Sequence, residues 1–105
     1  MSSASQDTAE TLQAIQNLLQ QGQVTEALEA IHALPTEQQA SKAGLYMRGV
    51  CERHLRAYGD AEKTLLSLVE QFPSHGRGYQ ELGHLYRDVN KLQDALGAYA
   101  TACHL

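Results

Sequence analysis

A thiol, a carboxylate and an imidazole fall close together at Cys51, Glu52 and His54. These are the residue types of a cysteine nucleophile with its base. On a helix Cys51 and His54 can share a face, but Glu52 then points away from them. No donor set for an oxyanion accompanies the three, so they read as helix residues and not as a catalytic group. Metal binding meets a similar shortfall. Cys51 and His54 stand three apart and Cys103 adjoins His104, whereas zinc wants about four convergent ligands in two close-spaced pairs. Cys51 suits a small contact between helices instead, and Cys103 a fraying end. Gly76-Arg77-Gly78 lacks the lysine of a phosphate-binding loop and reads as the turn that opens a helix. Glu10, Glu26, Asp60 and Glu62 fall at helix entries or on the surface. No catalytic residue, metal ligand or cofactor is expected, and the chain does not read as an enzyme.

Composition narrows the field in the same direction. The chain has 105 residues, which suits one domain, and 43% are hydrophobic, enough for a core. Eight Lys and Arg against twelve Asp and Glu give a formal net charge of -4. A general nucleic-acid binder carries a basic field instead. No apolar run approaches the roughly 20 residues of a membrane span. The start, Met1-Ser2-Ser3-Ala4-Ser5, has neither the basic nor the apolar region of a signal peptide. Two cysteines are too few for a disulfide scaffold, so two reduced thiols in a cytoplasmic protein are expected.

The elements that must position any site are helices. Residues 1–6 are small and polar and are expected to be a disordered tail, with Asp7 or Thr8 capping the first helix. Leu12, Ile15, Leu18 and Leu19 mark its inner face at spacings of three and four. Gly22 suits a left-handed end. Ala27, Leu28, Ile31 and Leu34 line a second helix, which Pro35 stops. Thr36-Glu37-Gln38-Gln39 resembles a capping box, placing the next start near residue 37, with Ser41 as a later alternative. That helix carries Leu45, Gly49 and Leu55. Ala57-Tyr58-Gly59-Asp60 turns into a helix whose inner face is Ala61, Leu65, Leu68, Val69 and Phe72, and Pro73 follows. Ser74 or His75 opens a helix ending near Asp88-Val89-Asn90, and a last helix runs on from about Lys91. No strand is expected.

These segments repeat. Tyr79, Leu82-Gly83, Tyr86, Ala95, Tyr99 and Ala102 follow the order of W-x2-L-G-x2-Y and A-x3-F, on a period of about 34 residues. One period earlier stand Leu45, Gly49, Ala61, Leu65 and Leu68, with Pro73 at the closing proline. Two periods earlier stand Thr11, Ile15, Ala27, Ile31 and Leu34. The chain thus resembles the tetratricopeptide-repeat family over about residues 8–105, in repeats of about 8–41, 42–75 and 76–105. The resemblance implies an all-α right-handed superhelical solenoid of three helix-turn-helix hairpins, six helices in all, spanning residues 7–105. Glycine inside a helix costs roughly 1 kcal/mol against alanine, so Gly49 and Gly83 call for a packing reason, and a closely packed second helix supplies one.

In that family the first helix of each repeat lines an inner groove that holds a peptide or protein segment. The resemblance places Gln13, Gln16, Tyr46, Met47, Val50, Arg53, His54, Arg77, Gln80, Glu81, His84 and Arg87 along it. Arg53, Arg77 and Arg87 on one face of an acidic protein would favour an acidic partner. The family's chaperone-tail clamp is not expected. Leu12, Gln16 and Met47 replace its Lys and two Asn, and only Arg77 suits it. The expected function is protein or peptide binding without catalysis. The alternative is a structural or oligomerising segment leading a larger enzyme, similar in style to sulfotransferase-type proteins with such repeats. No polar capping helix follows the third repeat, so Leu96, Cys103 and Leu105 are expected at an open edge, covered by further chain or by a second copy in a homodimer.

Overall fold

The computed structural model describes the backbone of residues 4–105 and the side chains of residues 10–105. The fold is all-helical, with no strand among the described residues. Seven helices follow one another: α1 Ala4–Gln20, α2 Val24–His32, α3 Thr36–Gln39, α4 Lys42–His54, α5 Tyr58–Gln71, α6 Gly76–Asp88 and α7 Leu92–His104. None is long and apolar enough to cross a membrane.

The first helix of each pair ends in the same way. Gly22, Arg56 and Asn90 all adopt positive φ, at 79°, 65° and 65°. The next amide in each case bonds back across the helix end: Gln23 to the Leu18 carbonyl at 2.9 Å, Ala57 to Glu52 at 2.8 Å and Lys91 to Tyr86 at 2.7 Å. This is the Schellman arrangement, which satisfies carbonyls that the helix leaves open. Glycine enters it without strain and asparagine tolerates it, but at Arg56 it costs roughly 1–2 kcal/mol. The three ends are spaced evenly, and α2, α5 and α7 each begin two residues after them.

Packing within the pairs repeats too. A Cβ on Gly49 would run into the Leu65 side chain, and one on Gly83 into the Tyr99 ring. The same contact therefore recurs in the α4–α5 and α6–α7 pairs. In the α1–α2 pair the corresponding residues, Ile15 and Ile31, are both fully buried. Ala27, Ala61 and Ala95 are buried on the second helix of each pair, where a small side chain lets the partner helix approach. One apolar cluster gathers Ile15, Ala27, Ile31, Leu34, Met47 and Cys51. A second gathers Leu45, Ala61, Leu65, Leu68, Leu82 and Leu85. Half-buried Tyr46 packs against both.

Three expectations need correction. The helix count among the described residues is seven, because Pro35 divides the return arm of the first pair. Proline has no N–H and its ring clashes with the carbonyl four residues back, so α2 stops at His32 and the arm resumes as the single turn α3. The apparent capping box at Thr36 makes no side-chain cap bond. Ser41 caps α4 instead, its Oγ accepting from Gly44 N at 3.0 Å and donating to the Gln38 carbonyl at 2.6 Å. Gln39 closes the break, its Nε2 donating to the carbonyls of Leu34 at 2.8 Å and His32 at 3.1 Å. Finally, α1 begins at Ala4, ahead of the caps expected at Asp7 or Thr8; of the tail expected over residues 1–6, residues 1–3 lie outside the described residues.

Candidate functional site

Three helices meet around Tyr46 to enclose a cleft of about 420 Å³. Gln16, Leu19 and Gln20 of α1 form one side, and Lys42, Ala43, Tyr46, Met47 and Val50 of α4 form the floor. His75 and Arg77, at the start of α6, form the other side. An adjoining cleft of about 400 Å³ shares Lys42, His75 and Arg77 and continues over Phe72 and Pro73.

Local structure sets each of these side chains. His75 is the N-cap of α6, its Nδ1 accepting from Gly78 N at 3.1 Å. That bond leaves the ring proton on Nε2. Its edge meets the Tyr46 ring, with centroids 5.6 Å apart and planes at 77°. The Arg77 guanidinium lies 5.0 Å from the centre of the same Tyr46 ring, and the Lys42 ammonium 5.9 Å from that of Phe72. Both are cation–π placements. Neither Lys42 nor Arg77 forms an ion pair with a carboxylate among the described residues.

The electrostatics follow. Burial, then the charges of Lys42 and Arg77, push the His75 pKa down, so its ring is neutral at neutral pH. Burial, then the Glu81 carboxylate, push the Tyr46 phenol up against the opposing pull of Arg77 and Arg53. The cleft thus offers an apolar and aromatic floor, amides on one rim and, on the other, a neutral imidazole with two cations that no carboxylate among the described residues pairs.

Of the residues expected at the site, Gln16, Tyr46, Met47, Val50 and Arg77 are brought together here. The others are placed elsewhere or are occupied. Arg53 bridges Glu81 at 3.0 Å and Asp88 at 2.9 Å, with only 13% of its side chain exposed. Its charge is answered inside the fold, so it ties α4 to α6 and is not free for a ligand; Glu81 is likewise buried in that bridge. Arg87 is more exposed and pairs with Asp88 at 3.4 Å. His84 shares a 2.6 Å hydrogen bond with the Tyr99 hydroxyl and stacks edge-on against that ring. His54 Nδ1 bonds to the Val50 carbonyl at 2.9 Å on the surface. Gln13 pairs with Asn17, and Gln80 is exposed outside the cleft.

Leu19, Gln20, Lys42, Ala43 and His75 line the cleft without having been expected there. One signal pointed to the cations. α2, α3, α5 and α7 each carry an acid in the first turn, at Glu26, Glu37, Asp60 and Asp94, whereas α4 and α6 carry none. Lys42 and Arg77 occupy those first turns, against the preference of the helix dipole for negative charge.

Compared with known proteins, the chain matches no family model and no curated sequence.

The reactive types lie apart from the cleft chemistry. Cys51 is fully buried, and burial with the neighbouring Glu52 pushes its thiol up to about 11. Glu52 is bound by Thr64 Oγ1 at 2.6 Å and Arg48 Nε at 3.0 Å. With His54 turned to the surface, the three make no nucleophile and base. No group of three or more His, Cys, Asp and Glu among the described residues could hold a metal ion.

Proposed function

We propose that this chain is a short tetratricopeptide-type array, a right-handed solenoid of helical hairpins, that binds a segment of another protein on the face of α1, α4 and α6. The cleft around Tyr46 carries this reading, because it lies where the first helices of the three pairs converge. Its floor of Leu19, Tyr46, Met47 and Val50 can desolvate an apolar side chain, and its polar rim can fix the orientation of one. The even spacing of the left-handed helix ends and the recurring glycine contacts support the repeat assignment. Binding needs no chemistry beyond shape, burial and a few polar contacts, and the unpaired thiols of Cys51 and Cys103 suit a reducing cytoplasm.

Selection of a random twelve-residue peptide display library on the immobilised protein tests this reading. Recovered peptides should shift the amide resonances of Leu19, Met47 and Val50, and Val50→Glu, with an unchanged circular dichroism spectrum, should no longer retain them. Peptides that bind with no shift at those residues would refute it, as would a selection that returns none.

A second reading rests on α7. Leu92 and Leu96 are 57% and 69% exposed. They correspond by the repeat to Tyr58 and Glu62, which cover α6 beside Tyr86. In this reading the chain is a structural segment whose α7 face packs on another helix, in a homodimer or in a larger enzyme. Light scattering across a dilution series tests the homodimer: a dimer that dissociates on Leu96→Glu supports it, and a monomer throughout removes it.

A further inference from the structure

We infer that the cleft selects a peptide in which an acidic side chain adjoins a bulky apolar one, with the carboxylate held by Lys42, Arg77 and His75. This rests on the binding reading above and specifies the partner's chemistry. Three observations meet at one place. Lys42 and Arg77 flank both adjoining clefts, and neither is neutralised by a carboxylate among the described residues. Each leans on an aromatic face, which holds the cation at the lip without discharging it. His75, between them, has its Nδ1 committed to the Gly78 amide, so its Nε2 is the donor that remains.

The charge pattern gives the sign of the ligand. The chain is acidic overall, yet this rim is cationic, and its cations occupy helix first turns where the dipole already contributes positive potential. A carboxylate there gains from both charges and from both helix ends. A basic segment meets repulsion, and a purely apolar one leaves the two cations and the imidazole without a partner. The apolar requirement comes from the floor. Met47 is buried and Val50 and Tyr46 are half-buried beside Leu19, leaving space for one large side chain directly against the cationic lip. Arg53 and Arg87 take no part, because their charges are already paired.

The display selection above, read for composition, tests the inference. Recovered peptides should be enriched in Asp or Glu within two positions of Leu, Ile, Phe or Tyr. Replacing that acid by its amide should weaken binding about tenfold, the scale of a charge-assisted hydrogen bond. Lys42→Gln and Arg77→Gln should each do the same with an unchanged unfolding midpoint, and the loss on raising ionic strength should shrink in both. Peptides that bind at Leu19, Met47 and Val50 equally well as acid or amide would overturn the acidic specificity and leave the binding site standing. A basic or wholly apolar consensus at those residues would do so too. Peptides that bind without touching those residues, or no peptides at all, would overturn both.

Discussion

Replacing Gly83 with alanine puts the glycine contacts to a quantitative test. In an open helix the change gains about 1 kcal/mol in helix propensity. Here the added Cβ would lie 2.5, 2.6 and 2.9 Å from Cε1, Cδ1 and Cζ of Tyr99. Carbon contacts settle at about 3.5–4.0 Å, so the ring must retreat by roughly 1 Å. It is not free to do so, because the Tyr99 hydroxyl is tied to His84 Nδ1 at 2.6 Å. Overpacking of this kind costs about 1–3 kcal/mol. Gly97, on α7, provides the control, since a Cβ there meets nothing within 4 Å. The propensity gain cancels between the two variants, so Gly83→Ala should be about 1–3 kcal/mol less stable than Gly97→Ala. Urea unfolding followed by circular dichroism measures this, and in a thermal melt each kcal/mol shifts the midpoint by about 4–8 °C. Tyr99→Val should abolish the cost, making Gly83→Ala favourable in that background. Equal stability of the two alanine variants, or no coupling between Gly83→Ala and Tyr99→Val beyond about 0.5 kcal/mol, would refute the packing argument.

Arg53→Ala should destabilise the fold by about 3 kcal/mol, because it strands the buried Glu81 carboxylate. Arg87→Ala, at a more exposed pair, should stay within about 0.5 kcal/mol, and similar urea midpoints for the two would contradict this. Burial raises the Asp88 carboxyl, but the hydrogen bond and charge of Arg53, joined by Arg87, outweigh it and hold its pKa below the ordinary value. That stability is therefore complete above the unfolded carboxylate pKa of about 4 and lost as pH falls through the folded value, so acid unfolding curves should be shallower for Arg53→Ala than for the parent. With a thiol reagent at neutral pH, exposed Cys103 should react at once and buried Cys51 only on unfolding. Simultaneous reaction of both would contradict the burial of Cys51.

The fold was legible where one residue type had one use. Gly22 announced a left-handed helix end and Pro35 a stop, and both occur. Gly49 and Gly83 announced close contacts, found against Leu65 and Tyr99. Arg56 was silent, because nothing in an arginine signals positive φ; only its place between Gly22 and Asn90 in the repeat does so. Thr36 misled for a related reason. Its capping pattern is local, but Pro35 takes the cap position and the longer helix waits for Ser41. For the site, the family resemblance put Tyr46, Met47 and Val50 among the groove residues, and the three line one cleft. The resemblance could not separate Arg77 from Arg53 and Arg87. All three are cations on first helices, and only the folded chain shows that the latter two have found acids.

The partition of charge links the fold to the proposed binding. Of the eight Lys and Arg, three form ion pairs with carboxylates among the described residues and five, Lys42, Arg56, Lys63, Arg77 and Lys91, do not. Arg48 and Arg53 are paired where α4 meets its neighbours, through Glu52 with Thr64 of α5 and through Glu81 and Asp88 of α6. Lys42 and Arg77 take no part in this pairing. They stand at the helix ends least suited to them, a cost of about 0.3–1 kcal/mol each, and add to the burial that depresses the His75 pKa. Acids at these two positions would suit the dipole better and would remove that repulsion. The cation–π contacts with Phe72 and Tyr46 offset part of that cost; under the binding proposed above, a carboxylate arriving from outside would add to them, beside the apolar floor where its neighbouring side chain would come to rest.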